Sequence, residues 1–172
     1  KPLLTLALTS LALAGCTTTG GGHSVASTKP DHPEARLYDA SADAKGNVDA
    51  ALQRAEASGK LVLISMDANW CHDSVGLMEK TQNQRVTGLF RDRYTVQLVN
   101  VGKLEFIRDI VQRYGVPIIY GTPEVLVIEP TSDSLLNRGG LSYWRNADSL
   151  SIDDTLEYFE AFTPGQTLKT AH

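Results

Sequence analysis

Apolar residues between about residue 37 and residue 163 follow two patterns, one with helical spacing and one of short unbroken runs. Helical spacing, in which apolar residues recur at i, i+3, i+4 and i+7, predicts amphipathic helices. It occurs at residues 48–55, 75–78, 86–90, 104–114 and 152–159. In the second of these stretches Val75 and Met78 are expected to face the core. Glycine commonly ends a helix, and Gly59 and Gly115 follow the first and fourth stretches.

The unbroken apolar runs at residues 61–64 and 125–128 are typical of strands that are covered on both faces. Residues 94–101 form a third predicted strand, and residues 135–138 can return as a hairpin partner after the turn at residues 130–133. A mixed sheet with helices on both faces accommodates this order of helices and strands. We therefore predict an α/β fold.

The composition is that of an ordinary globular protein, and it argues against a nucleic-acid-binding protein and against a disulfide-rich scaffold. The 172 residues include 16 Lys and Arg against 20 Asp and Glu, a formal net charge of -4. The chain thus has no excess of basic residues with which to neutralise nucleic-acid phosphates. It contains two cysteines, Cys16 and Cys71, too few for a disulfide-rich scaffold. We expect no nucleic-acid partner, no cofactor and no metal site.

The first residues have the character of an export signal. Residues 3–14 contain nine Leu or Ala and no charged side chain. This run is shorter than the roughly 20 residues that span a bilayer, but it suits the apolar region of a signal peptide. The small residues before Cys16 resemble the lipobox of bacterial lipoproteins, which implies cleavage before Cys16 and attachment of lipid to its sulfur. The alternative is ordinary secretory cleavage, which would leave Cys16 as a free thiol.

Residues 17–28 connect this segment to the predicted domain, and nine of the 12 are Gly, Ser or Thr. Such a composition cannot bury enough apolar surface to fold, so we predict a flexible tether. The predicted organisation is a signal peptide at residues 1–15, the anchor cysteine and tether at residues 16–36, a folded domain at residues 37–163 and a tail at residues 164–172.

Residues 69–74, Asn-Trp-Cys-His-Asp-Ser, follow the strand predicted at residues 61–64 and open the next helix. A cysteine at a helix start meets unpaired backbone N–H groups and the positive end of the helix dipole, and both favour the thiolate. Cys71 is therefore a candidate nucleophile, and His72 beside it is a candidate substrate contact. The alternative is that Cys71 is an inert buried thiol.

This junction resembles the thioredoxin fold, in which a strand leads through Trp-Cys into a helix. Thr122 and Pro123 before the strand at residues 125–128, and the hairpin and terminal helix after it, match the same fold. The resemblance covers roughly residues 47–163 and implies that Pro123 is cis and lies beside the reactive cysteine. It also implies that Trp70 and the backbone around Thr122 bind an extended substrate.

Two positions depart from the family pattern. Ser74 stands where the usual pair has its second cysteine, and Ser65 stands where thioredoxins commonly have a buried aspartate. If Cys16 carries lipid, a mixed disulfide on Cys71 must be resolved by an external thiol. Ser74 either donates a hydrogen bond to the Cys71 thiolate or merely replaces the lost cysteine. Asp67 falls on the same strand face as Ser65, but the sequence assigns it no role.

These features lead to two functional hypotheses. In the first, the chain is a membrane-tethered, thioredoxin-like protein of the bacterial cell envelope that acts through Cys71 on thiols or disulfides of other proteins. It would work as an isomerase or by capturing clients, with an external reductant or resolving thiol as a further partner. In the second, the fold is a redox-inactive module that binds envelope proteins.

Two further expectations concern location and cofactor use. Thr17, after Cys16, is unlike the aspartate of an inner-membrane retention signal, so we expect the periplasmic face of the outer membrane. A glutathione-dependent enzyme or iron–sulfur carrier is disfavoured, because residues 71–74 do not match the Cys-Gly-Phe-Ser pattern of monothiol glutaredoxins.

Overall fold

The computed structural model describes residue 38 and residues 42–102 and 107–166. The predicted signal peptide, the anchor Cys16 and the predicted tether lie outside these residues, and so does the end of the predicted tail, residues 167–172. Among the residues that are described, no helix is both long and apolar enough to cross a membrane.

The described part of the chain contains a sheet of four strands. They are β1 (Leu61–Asp67), β2 (Tyr94–Asn100), β3 (Glu124–Glu129) and β4 (Ser134–Leu135). The order across the sheet is β2-β1-β3-β4. β1 pairs in parallel with β2 and antiparallel with β3, and β4 pairs antiparallel with the far end of β3. The predicted mixed sheet is therefore confirmed.

Helices pack on both faces of this sheet. They are α1 (Ala44–Ser58), α2 (His72–Thr81), α3 (Gln84–Arg93), α4 (Arg108–Arg113) and α5 (Ile152–Glu160). Buried side chains of α1 and α4 form one apolar cluster with Val62 and Ile64 of β1. Those of α2, α3 and α5 form a second cluster with Leu61 and Leu63. Successive strand residues point to opposite faces, so the unbroken apolar run of β1 supplies both clusters.

Local sequence accounts for several helix ends. The Asp43 side chain accepts a hydrogen bond from the Gly46 N–H at the start of α1, and Gly59 follows the helix with a φ of 65°. Glycine adopts this left-handed conformation without the steric cost that a β-carbon brings. At the start of α5, Ser151 and Asp154 form a reciprocal capping box.

The predicted hairpin strand at residues 135–138 is wrong in its extent. Only Ser134–Leu135 pairs with β3, because the Asn137 side chain takes the place of further strand pairing. Its amide accepts a hydrogen bond from the Val127 N–H (2.9 Å) and donates one to the Val125 carbonyl (2.7 Å). The backbone then turns into a short 3₁₀ helix at Arg138–Gly140.

Two helical details also differ from the prediction. α4 begins at Arg108, and residues 104–106 of the predicted segment lie outside the described residues. Met78 is half-buried, because Leu77 of α2 occupies the core in its place.

A second 3₁₀ segment, Tyr143–Ser149, precedes α5 and carries the fully buried Trp144.

Candidate functional site

Cys71 is the last residue of the short connection between β1 and α2. The chain turns after β1, where the Cys71 N–H donates to the Ala68 carbonyl (3.0 Å), and Cys71 then serves as the N-cap residue of α2 in an extended conformation. The first N–H groups of a helix lack partners within it and carry partial positive charge. The half-buried Cys71 sulfur therefore lies at a helix end that favours negative charge.

The Thr122–Pro123 turn approaches the same sulfur from the other side. The peptide bond between these residues is cis, as the family resemblance implied. The Cys71 thiol donates a hydrogen bond to the Thr122 carbonyl, with 2.9 Å between sulfur and oxygen. Two segments that are far apart in the chain thus meet at the candidate nucleophile. A carbonyl acceptor stabilises the neutral thiol. Its effect therefore opposes that of the helix N-terminus, which favours the thiolate.

Ser74, at the position of the family's second cysteine, is buried. Its hydroxyl accepts a hydrogen bond from the Ala68 N–H (3.3 Å) and also stabilises the Asp67 carboxylate. Within the described residues it makes no hydrogen bond to Cys71. The Ser74 side chain is thus engaged with the end of β1 rather than with the sulfur.

Asp67, the last residue of β1, carries a buried carboxyl group to which the sequence analysis gave no role. Burial raises the pKa of Asp67 to about 7, and the nearby hydroxyl groups of Ser65, Ser74 and Tyr38 offset the rise only in part. Among the described residues, neither carboxyl oxygen of Asp67 has a partner at normal hydrogen-bond geometry. The sequence signal for this residue is an acidic side chain that ends an otherwise buried strand.

Glu124 is a second buried carboxyl group, directly after cis-Pro123. Its Oε2 atom accepts a hydrogen bond from the Tyr120 N–H (3.1 Å), while Oε1 has no partner in the described part of the chain. Burial raises the pKa of Glu124 to about 7, against the opposing effect of the Tyr120 N–H. The sequence analysis missed this residue, although a glutamate at the head of an apolar strand was a visible signal.

His72 is exposed and faces Asp148 of the second 3₁₀ segment, with 3.5 Å between Nδ1 and the carboxylate. Asp148 has two further contacts with α2. Its N–H donates to the Asp73 carboxylate (3.1 Å), and its carbonyl accepts from Lys80 Nζ (3.1 Å). Gly76 lies against the same residue. Asp148 therefore holds the start of α2, and with it Cys71, in position.

Exposed apolar side chains lie on both segments that meet at Cys71. Trp70 is 72% exposed, Ile118 60% and Tyr120 43%. We call these three residues the apolar rim. The aliphatic part of Arg145 packs over Gly121, one residue before Thr122. Exposed aromatic and aliphatic groups of this size are typical of surfaces that bind other proteins.

The arrangement at Cys71 suits sulfur chemistry. No group of three or more His, Cys, Asp or Glu side chains in the described residues could hold a metal ion. Cys71 is a free thiol at a helix N-terminus, next to a backbone carbonyl and an open surface. A thiolate in this position can attack a disulfide and form a mixed disulfide.

Comparisons with known proteins agree with this geometry. The sequence model of a thioredoxin-like family matches residues 43–130, half of the chain. A crystal structure of a disulphide isomerase from Xylella fastidiosa Temecula1 superposes with a TM-score of 0.66 and 29% identity, over 72% of this chain and 94% of that one. A search of curated proteins finds no match. The family match and the Cys71 junction at the cis proline make this chain a member of the thioredoxin-like family.

Proposed function

We propose that the protein exchanges thiols and disulfides of client proteins through Cys71 alone. The observation that carries this proposal is a free thiol at the N-cap of α2, in contact with the Thr122 carbonyl before cis-Pro123. The thioredoxin-like fold and the disulphide isomerase among its structural relatives support thiol–disulfide exchange in general. The single-cysteine mechanism is the finer proposal made here.

The reaction conserves the number of disulfides. The Cys71 thiolate attacks one sulfur of a client disulfide, the client S–S bond breaks, and the other client sulfur leaves as a thiolate. A second thiol then attacks the mixed disulfide and releases Cys71. If that thiol belongs to the client, the client disulfide is rearranged without net oxidation. If it belongs to an external reductant, the client is reduced and the reductant supplies the electrons.

The apolar rim gives the client a surface on which to bind. Trp70 precedes the nucleophile, and Ile118 and Tyr120 precede the cis proline. A misfolded or partly folded protein exposes apolar side chains near its wrong disulfides, so such a rim would favour it over a small disulfide. Isomerisation of proteins is therefore the substrate class that we favour.

We further propose that lipidated Cys16 tethers the domain to the bacterial envelope, so that its clients are envelope proteins. The apolar residues 3–14 and the residues before Cys16 support this proposal. Growth with a radiolabelled fatty acid tests it. The label should appear on the wild-type protein and be absent from a Cys16→Ala variant. Equal labelling of both proteins would refute the lipid anchor.

The exchange reaction is tested by the rate at which Cys71 reacts with iodoacetamide as the pH varies. A thiolate stabilised by the helix end should react faster at neutral pH than the cysteine of an unstructured peptide. The protein should also form a mixed disulfide with a peptide disulfide, and Cys71→Ser should not. A rate equal to that of the peptide cysteine, together with no mixed disulfide, would overturn the proposal.

A redox-inactive binding module is the second candidate. It is favoured by the hydrogen bond that the buried Ser74 hydroxyl accepts from the Ala68 N–H, because this bond gives the second-cysteine position a structural role. Trapping of partners in the native envelope separates the two functions. If partners copurify equally with wild type and Cys71→Ala and none is linked through sulfur, the binding module is correct. Partners linked by a disulfide to Cys71 support exchange.

A further inference from the structure

Glu124 is an acidic side chain in an environment that charged groups rarely occupy. It is fully buried, and within the described residues no ion pair involves its carboxyl. Burying an unpaired carboxylate is costly. In the same part of the chain its carboxyl accepts one hydrogen bond, from the Tyr120 N–H.

That hydrogen bond spans the part of the loop that touches the nucleophile. It joins Tyr120 to Glu124 across Gly121, Thr122 and Pro123. The Thr122 carbonyl inside this span accepts the hydrogen bond from Cys71. The carboxyl of Glu124 therefore closes a short ring of backbone that aims one carbonyl at the sulfur.

We propose that Glu124 is a positioning residue for Cys71, holding the Thr122 carbonyl against the sulfur, and that its ionisation state controls the reactivity of the thiol. This proposal rests on the proposed function, because it presumes that Cys71 is the reacting group. When Glu124 is ionised, it accepts a stronger hydrogen bond from the Tyr120 N–H and adds negative charge to the loop that contacts the sulfur. Both effects favour the neutral thiol. When Glu124 is neutral, the thiolate forms more readily.

Other titratable groups lie on the elements around Cys71 and Glu124. They are Tyr158 of α5, Asp67 at the end of β1, and the exposed His72 and half-buried Asp73 at the start of α2. Burial raises the pKa of Tyr158, and the charge of Glu124 adds to the rise. All four groups are present in both the wild type and Glu124→Gln. The ratio of the Cys71 alkylation rates in the two proteins therefore isolates the contribution of Glu124.

The test compares iodoacetamide alkylation of Cys71 in wild type and Glu124→Gln. Glutamine keeps an acceptor for the Tyr120 N–H but carries no charge. At about pH 5.5, where Glu124 is neutral, the two rates should agree within about twofold. Near pH 7.5 the variant should react about fivefold faster, because it lacks the negative charge of ionised Glu124. Glu124→Met removes the acceptor as well and should react faster at both pH values.

Glu129→Gln is the matched control. Glu129 is also buried, at the opposite end of β3, and accepts backbone N–H groups of Thr131 and Gly165. Its substitution should leave the alkylation profile unchanged. Circular dichroism establishes that each variant is folded, and Glu124→Gln decides the outcome if Glu124→Met does not fold.

Two failures can be told apart. If wild type forms mixed disulfides with a peptide disulfide but the Glu124→Gln profile superimposes on the wild-type profile, the positioning role is wrong and the proposed function stands. If wild-type Cys71 forms no mixed disulfide, the proposed function itself fails.

Discussion

The Cys71 thiol donates a hydrogen bond to the Thr122 carbonyl oxygen over 2.9 Å, joining the start of α2 to the turn before β3. The carbonyl favours the neutral thiol, whereas the N–H groups at the helix end favour the thiolate. The reactivity of Cys71 thus depends on the balance between two backbone groups that approach it from opposite sides. Changes in the residues that hold either segment should alter this balance.

Ser74→Ala should leave the pH midpoint of Cys71 alkylation within about 0.3 of the wild-type value, well inside the spread that folded environments produce. The reason is that the Ser74 hydroxyl accepts a hydrogen bond from the Ala68 N–H and, within the described residues, makes none to the sulfur. The same variant should lose about 1 kcal/mol of unfolding free energy, because the buried Ala68 N–H loses its acceptor. Alkylation kinetics and urea unfolding check these two expectations. A rise in the midpoint of a full pH unit would instead identify Ser74 as a hydrogen-bond donor to the thiolate.

Trp70→Ala should reduce the rate of mixed-disulfide formation with a protein disulfide about tenfold or more, the loss of a good interface contact. The rate with a small disulfide such as cystine should stay within about twofold. Because Trp70 is largely exposed, the unfolding free energy should change by less than about 0.5 kcal/mol. Val96→Ala is the control, since Val96 is also exposed but lies on β2. Equal losses with both disulfides would mean that Trp70 acts on Cys71 itself rather than on the client.

Gly76→Ala should destabilise the protein by more than about 2 kcal/mol, as overpacking in a tight contact does. A β-carbon at Gly76 would lie 2.5 Å from the Asp148 Cα, which is backbone and cannot move aside cheaply. Gly88→Ala in α3 is the matched control. A β-carbon there meets no atom within 4 Å, and alanine should stabilise the helix by about 0.5–1 kcal/mol. Urea unfolding of both variants measures the contrast, and equal effects would refute the close approach of α2 to Asp148.

The stability of the protein should fall as the pH rises from about 5 to about 8. Burial raises the pKa values of Asp67 and Glu124 to about 7, far above those of the unfolded chain. The folded state therefore binds more protons than the unfolded state in this range, so raising the pH removes stability. The loss between pH 5 and pH 8 should exceed about 1 kcal/mol.

Asp67→Asn and Glu124→Gln should each reduce this slope, because an amide does not titrate. Unfolding in urea at several pH values provides the measurement. A wild-type stability that is constant or increases between pH 5 and pH 8 would contradict the burial of these two carboxyls in ionisable form. Acidic side chains with lowered pKa values, such as Asp49 beside Lys45, titrate below this range and do not interfere.

Much of the fold could be predicted because it depends on local sequence. The spacing of Val48 to Ala55 and the glycine after it determine α1 and its end. The unbroken run of β1 reflects its position between two apolar clusters. The short β4 could not be predicted, because the Asn137 side chain satisfies the backbone of β3 only once the two segments are adjacent.

The candidate nucleophile, Cys71, could be identified from the sequence alone. The side chains that surround it could not. Trp70-Cys71 after a buried strand marks a helix-start thiol through local geometry alone, and the pairing of that thiol with cis-Pro123 followed only from family resemblance. The contact of Asp148 with His72, Asp73 and Lys80 joins residues far apart in the chain. No local pattern encodes such a contact.

By itself the sequence determined the order of helices and strands, the helix ends and the residue that can act as a nucleophile. All of these depend on side-chain spacing and on backbone preferences within a few residues. Only the tertiary structure decided that Asp67 and Glu124 are buried and that the Ser74 hydroxyl accepts a hydrogen bond from the Ala68 N–H. Desolvation and hydrogen bonding sum over every neighbour in space, and those neighbours come from segments that the chain brings together only when it folds.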